Sequence, residues 1–265
     1  MSRQSMSPRA LKILGALEVA ASTALALVAV WILAPRLHLA GMVTLVYLAG
    51  AFTALYGLYI SPVIIHGDPA GVRGLGTWRT CFVRTDNLRA ASLVYGGFTA
   101  GTLIAIVAWI AIFDPARAGQ IYWKSVPVKF ALYLVSATVQ DLFWLSFILV
   151  RLKGVFSKDG RASEGMPQPL AQVAICALCA GQFVLYHAPN LPLMGASLVA
   201  GLIISRLYLS IPNLLAAALS HAVIGTALHR IVGLCMRSGP FYEDQTVYPL
   251  RTLFPFTKNI IRDMW

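Results

Sequence analysis

Residues 127–150 read PVKFALYLVSATVQDLFWLSFILV, a stretch in which only Lys129, Gln140 and Asp141 have charged or amide side chains. A helix that crosses a bilayer needs roughly 20 mostly apolar residues, and this one is long enough. Working outward, runs of the same kind lie near 11–34, 40–65, 92–113, 170–188, 191–210 and 212–235. Together they predict an all-α fold, a polytopic transmembrane helix bundle of about seven spans, with eight as the alternative. Composition points the same way. Of 265 residues, 58% are hydrophobic and 12% charged, against roughly 45–50% and 25% in soluble domains. Too little polar surface remains to cover a globule in water, so the chain uses the lipid bilayer as solvent. A soluble enzyme, a nucleic-acid-binding domain and a disulfide scaffold are thereby excluded.

The charge is lopsided, with 21 Lys and Arg against 10 Asp and Glu, a net +11. Most of the excess falls in alternate loops. Arg3, Arg9 and Lys12 precede the first span, Arg73, Arg79, Arg84 and Arg89 separate the second from the third, and Arg151, Lys153, Lys158 and Arg161 separate the fourth from the fifth. The intervening loops are poorer in Lys and Arg, and this alternation sets topology. It predicts a cytoplasmic N-terminus, in an integral protein of the bacterial inner membrane. The first run ends at Pro35-Arg36 and is longer than the roughly 7–15 apolar residues of a signal peptide, so it reads as a retained helix. The tail 236–265 is aromatic, carries Arg237, Arg251, Lys258 and Arg262, and is too polar to span. It reads as an extramembrane or interfacial segment that leaves the span count between seven and eight. Residues 158–165 are the most linker-like stretch, but the helical blocks on either side are too short to stand alone, so 1–265 is expected to be a single integral-membrane domain.

Ionisable side chains inside spans are costly and usually face a bundle interior. Those here are Glu18, Asp141, His187, Arg206, His221 and His229. Glu18 lies near Lys12 and reads as interfacial or paired with a basic neighbour. Arg206 can extend to the interface, and His229 beside Arg230 reads as interfacial. Asp141 is mid-helix, with Lys129 and Arg151 each about 15 Å away along the axis, so it needs a partner from another helix or a proton. His187 ends a span, where it could cap carbonyls, and His221 lies well inside the last one. Cys176 and Cys179 form a C-x-x-C in an apolar run, but His187 is about 12 Å beyond Cys179 along a helix. They read as small packing residues, and no metal site is expected.

Three of these segments, in order, resemble the motifs of the CPBP intramembrane proteases, the group containing CAAX prenyl endopeptidases and bacteriocin-processing proteins. The family signature is Glu-Glu-x-x-x-Arg, then Phe-x-x-x-His, then His-x-x-x-Asn/Asp. The first is similar to Gln140-Asp141 with Leu145, the second to Phe183 with His187, and the third to His221 with Gly225. The resemblance covers about 127–235 and implies a water-activating carboxylate at position 140, with the histidines and the Asn/Asp holding the oxyanion or organising the site. On that basis Gln140, Asp141, His187 and His221 are the candidate catalytic positions, and Phe183, Trp144 and Gly225 the candidate binding positions.

The departures from the signature carry chemical weight. An amide at Gln140 has no useful basicity, so general-base catalysis fails there. Asp141, one residue on, points about 100° away around the helix and is one methylene shorter than glutamate. Leu145 and Gly225 replace the other polar types. Two readings follow. In the first, the chain is a catalytically degenerate member, a pseudoenzyme that binds a membrane protein, a lipid-anchored peptide or a hydrophobic ligand such as a pigment. The histidines would also suit a haem or chlorin, and the cofactor is left unknown. In the second, it is an active intramembrane hydrolase in which Asp141, with His187 and His221, cleaves a membrane-associated peptide.

Overall fold

Each of the seven apolar runs carries a helix in the structure, a computed structural model that describes residues 6–33, 44, 48–66, 84–160, 162 and 167–236. In chain order we label them α1 (Pro8–Val28), α2 (Thr53–Ile65), α3 (Leu88–Phe113), α4 (Val126–Asp141), α5 (Pro169–Leu185), α6 (Leu191–Ser210) and α7 (Leu214–Ala227). Among the described residues there is no strand, and the all-α membrane bundle is borne out. Among the described residues five helical stretches are long and apolar enough to cross a membrane: Pro8–Leu33, Leu88–Phe113, Trp123–Phe156, Leu191–Ser210 and Leu214–Val232. The helices at Leu48–Ser61 and Pro169–Leu185 are apolar but shorter. The tail from Arg237 on, most of the loop between α2 and α3 with Cys81, and the linker residues Arg161 and Ser163 to Gly165 lie outside the described residues.

Helix starts follow local capping chemistry. Ser7 accepts the Ala10 N–H with Pro8 next in line, Asn190 accepts that of Leu193 at 3.3 Å, and Asn213 accepts that of Ala216 at 3.0 Å. Each side-chain oxygen satisfies an N–H that has no partner inside its helix. The two asparagines also tie distant segments together. Asn190 donates to the Cys235 carbonyl at 2.9 Å, and Asn213 donates to the Arg84 carbonyl at 2.9 Å. These bonds fix the ends of α6 and α7 relative to the rest of the bundle.

The hub is the C-terminal half of the long fourth span. Immediately after Asp141 the winding widens to a π-helix over Leu142–Leu149, and α-helix resumes at Val150–Phe156. Leu142 and every residue from Trp144 to Leu149 are buried. A helix apolar all round is one that sits inside its bundle, and the sequence supplies that here with Leu-Phe-Trp-Leu-Ser-Phe-Ile-Leu. Trp144, Leu145, Phe147, Ile148 and Leu149 form one core with Tyr95 of α3, Ile175 and Phe183 of α5, Ile204 and Tyr208 of α6, and Ala217 of α7. α7 packs against both α4 and α3, while α5 pairs with α6. Ala216, Ala217, Ala218, Ala222 and Gly225 give α7 a small-residue surface that lets it sink between its neighbours. By contrast α3 buries Ala91, Tyr95, Ile106 and Ile110 and leaves Leu93, Ile104, Val107 and Ile112 exposed, the face a lipid-solvated helix presents to acyl chains.

Candidate functional site

Asp141 is fully enclosed, at 0% exposure, where α4 gives way to the wider winding. The partner it needs comes from α7: His221 Nδ1–H donates to Asp141 Oδ1 at 2.9 Å. The other oxygen, Oδ2, is equally buried and has no hydrogen-bond partner among the described residues. A half-satisfied carboxylate in a dry interior is costly. Residues in this condition concentrate at functional sites.

His221 is held on both sides. Its Nε2 lies 3.4 Å from the hydroxyl of Tyr133, and the Tyr133 ring meets the imidazole edge-on with centroids 5.8 Å apart. Tyr133, Ala137 and Asp141 are spaced i, i+4, i+8 and form one ridge of α4. His221 and Gly225 are spaced i, i+4 on α7. The two helices run antiparallel here, so Asp141 meets His221 while Tyr133 lies over Gly225. A Cβ at position 225 would fall within the Tyr133 ring and 2.8 Å from its hydroxyl oxygen.

Phe183 joins the two histidines. Its ring centroid is 5.7 Å from that of His221 and 4.7 Å from that of His187. On its other side it stacks on Trp144 at 4.3 Å and 16°. Trp144 is itself locked, since its indole N–H donates to the Cys179 carbonyl at 2.8 Å. His187 sits in the turn after α5, its N–H bonded to the Val184 carbonyl at 2.9 Å. Thus Asp141, His187, His221, Phe183, Trp144 and Gly225 come together, and Tyr133, not singled out in the sequence, completes them. The i, i+4, i+8 spacing back from Asp141 was the signal that could have found it.

Gln140 does not join the group. Its amide donates to Ser136 Oγ at 2.8 Å, one turn back on its own helix. Leu145, at the place of the family's arginine, is a fully buried core residue. Cys176 and Cys179 are buried and free, the latter placing Sγ 3.7 Å from the Trp144 carbonyl oxygen, in keeping with packing. Among the described residues no group of three His, Cys, Asp or Glu side chains is arranged to hold a metal ion.

A second acid–histidine pair lies elsewhere in the bundle. Glu18 of α1 was expected near the interface or beside a basic neighbour such as Lys12. Instead it is 5% exposed and accepts from His66, at the end of α2, at 2.7 Å and from Tyr56 at 2.9 Å. Arg151 Nε lies 3.6 Å away, close enough for charge but too far for a hydrogen bond. His66 and Arg151 are basic, as expected of a partner, but they and Tyr56 come from other helices. A small groove opens between α5 and α6, about 340 Å³, lined by Val173, Cys176, Ala177, Leu202 and Arg206 among others. Arg206 is exposed there, with Nη1 donating to Ser210. Cys176 is seven residues before Phe183, so the groove and the histidine cluster are about 10 Å apart along the axis of α5.

Residues 122–227 match a family model described as type II CAAX prenyl endopeptidase Rce1-like. The matched segment holds Tyr133, Asp141, His187, His221 and Gly225, so the resemblance read from the three motifs is borne out over this part of the chain. No curated protein and no solved structure matches the chain.

Proposed function

We propose that this integral membrane protein is a catalytically degenerate Rce1-like protein, which binds a lipid-modified peptide without cleaving it. The observation that carries the reading is the commitment of both acid-position side chains. Gln140 has no basicity and bonds its own helix. Asp141, the carboxylate next to it, is buried and tied to His221. The mechanism that the family resemblance implies uses a carboxylate within reach of a water as general base, and neither side chain offers one. The position where the family has Asn or Asp is closed by the Tyr133 ring. Binding is supported by the groove between α5 and α6, where apolar walls and the Arg206 guanidinium match an acyl or isoprenyl chain next to a carboxylate. The groove's distance from the histidines fits binding without turnover.

The Asp141–His221 hydrogen bond favours a second reading, in which Asp141 and His221 together activate water and the chain is an active endopeptidase. One experiment separates the two. The purified protein, its Asp141→Ala variant and its Gln140→Glu variant are incubated with a prenylated peptide, and cleavage is followed by mass spectrometry. The expected result is no product from the parent or from either variant, since residue 140 lies away from the histidines and position 225 is closed by Tyr133. Product from the parent that disappears in Asp141→Ala overturns the proposal. For topology, we place the whole chain as one domain in a bacterial inner membrane with a cytoplasmic N-terminus, on the strength of the loop Lys and Arg distribution. A reporter active only outside the cytoplasm should stay silent when fused to the N-terminus.

A further inference from the structure

We infer that Tyr133 is the positioning residue of the histidine site, and that it holds His221 from the opposite helix because position 225 carries no side chain. Three observations carry this. The first is geometric exclusion: the Tyr133 ring occupies the volume any Cβ at position 225 would need, and its hydroxyl oxygen lies 2.8 Å from that Cβ position. The second is the bond itself. The hydroxyl sits 3.4 Å from His221 Nε2, with the ring edge-on to the imidazole. The third is the far side of the same imidazole, where Nδ1–H donates to Asp141 Oδ1 at 2.9 Å.

These contacts suit one tautomer of a neutral His221 beside an ionised Asp141. A carboxylate accepts, so Nδ1 carries the proton. In a neutral imidazole Nε2 is then an acceptor, and a hydroxyl is the donor that satisfies it. Asp141 and Tyr133 therefore clamp His221 through its two nitrogens, which fixes the ring's orientation as well as its proton. Residue 225 is one helical turn from His221 on the same face. A polar side chain there would reach the imidazole along α7, whereas here the polar atom arrives from α4. Tyr133 and Gly225 form a matched pair, each tolerable because of the other. This inference does not depend on whether the site turns over water.

The test is ¹⁵N NMR of the full-length protein labelled at histidine, in detergent or nanodiscs, with His221 assigned by loss of its signals in His221→Asn. In the parent, Nδ1 should be protonated, with Nε2 unprotonated and shifted by its hydrogen bond. Tyr133→Phe, which removes a single oxygen, should move the Nε2 signal toward that of a free unprotonated nitrogen and leave Nδ1 in place. Asp141→Asn should chiefly move Nδ1. A purely packing role for Tyr133 would leave both nitrogens unchanged in Tyr133→Phe, and that result overturns the inference. So does a parent spectrum with the proton on Nε2. The matched pair is tested separately by the yield of folded protein: Gly225→Ala should lower it several-fold, and Tyr133→Ala in the same chain should restore it. A double variant no better than Gly225→Ala overturns the pairing.

Discussion

Two buried carboxylates in this bundle each meet a histidine, yet they are built to different standards. Glu18 bonds His66 through one oxygen and Tyr56 through the other, with Arg151 supplying positive charge at 3.6 Å. Both oxygens are satisfied and the residue links α1, α2 and the end of the fourth span. Asp141 is the more deeply buried of the two, but it has one bond, to His221, and an orphaned Oδ2. A fully paired carboxylate tying three helices together is what a structural clamp requires. A carboxylate with an unused oxygen, facing a clamped imidazole and a cluster of aromatic rings, keeps polar capacity that the fold does not use. The difference is why we propose the site at Asp141 and not at Glu18, although both are acid–histidine pairs.

The largest effect should come from breaking the clamp. Glu18→Ala removes the acceptor that His66 and Tyr56 share inside the bundle, and should cost about 3–5 kcal/mol, read as a lowered unfolding midpoint in detergent. A small effect there would erase the contrast, because Glu18 would then be as dispensable as a site residue. Next comes Gly225→Ala, which forces a methyl into the Tyr133 ring. Overpacking of this kind costs roughly 1–3 kcal/mol, and the same midpoint measures it. Asp141→Asn should be milder still, about 1 kcal/mol, since the carboxylate already lacks a partner on one side and the amide oxygen can accept from His221. If Asp141→Asn proved as damaging as Glu18→Ala, the Asp141 pair would have to be reassigned as structural. Smallest of all, Arg206→Ala should move stability by less than about 0.5 kcal/mol, because the side chain is exposed. It should nevertheless weaken photocrosslinking of a prenylated peptide if the groove between α5 and α6 is where that peptide lies.

The bundle was legible because lipid solvation imposes a length and a composition on each span. The apolar runs are written in the chain, and the helices fall on them. α5 comes out shorter than a full span, since the run continues by composition into His187-Ala188-Pro189, where the helix has already given way to a turn. The candidate site was legible through residue order alone. Gln140-Asp141, Phe183 with His187, and His221 carry chemistry in a recognisable sequence, and Trp144, His187 and His221 do gather around Phe183, with Asp141 bonded to His221. Other features were not legible. Glu18 finds partners 48 and 133 positions away, and no local pattern specifies which helix will pass by. Gly225 announced the loss of a side chain but not that Tyr133, 92 positions earlier, fills the space.

What the sequence by itself determined was intrinsic to the residues: a lipid-solvated helical chain, and an amide at position 140 that cannot take a proton from water in any fold. What only the tertiary structure decided was the pairing of those residues. Asp141 turns to His221, Gln140 turns back to Ser136, and Tyr133 closes over Gly225 because α4 and α7 cross antiparallel at one register. That register is a property of two packed surfaces and of neither helix alone.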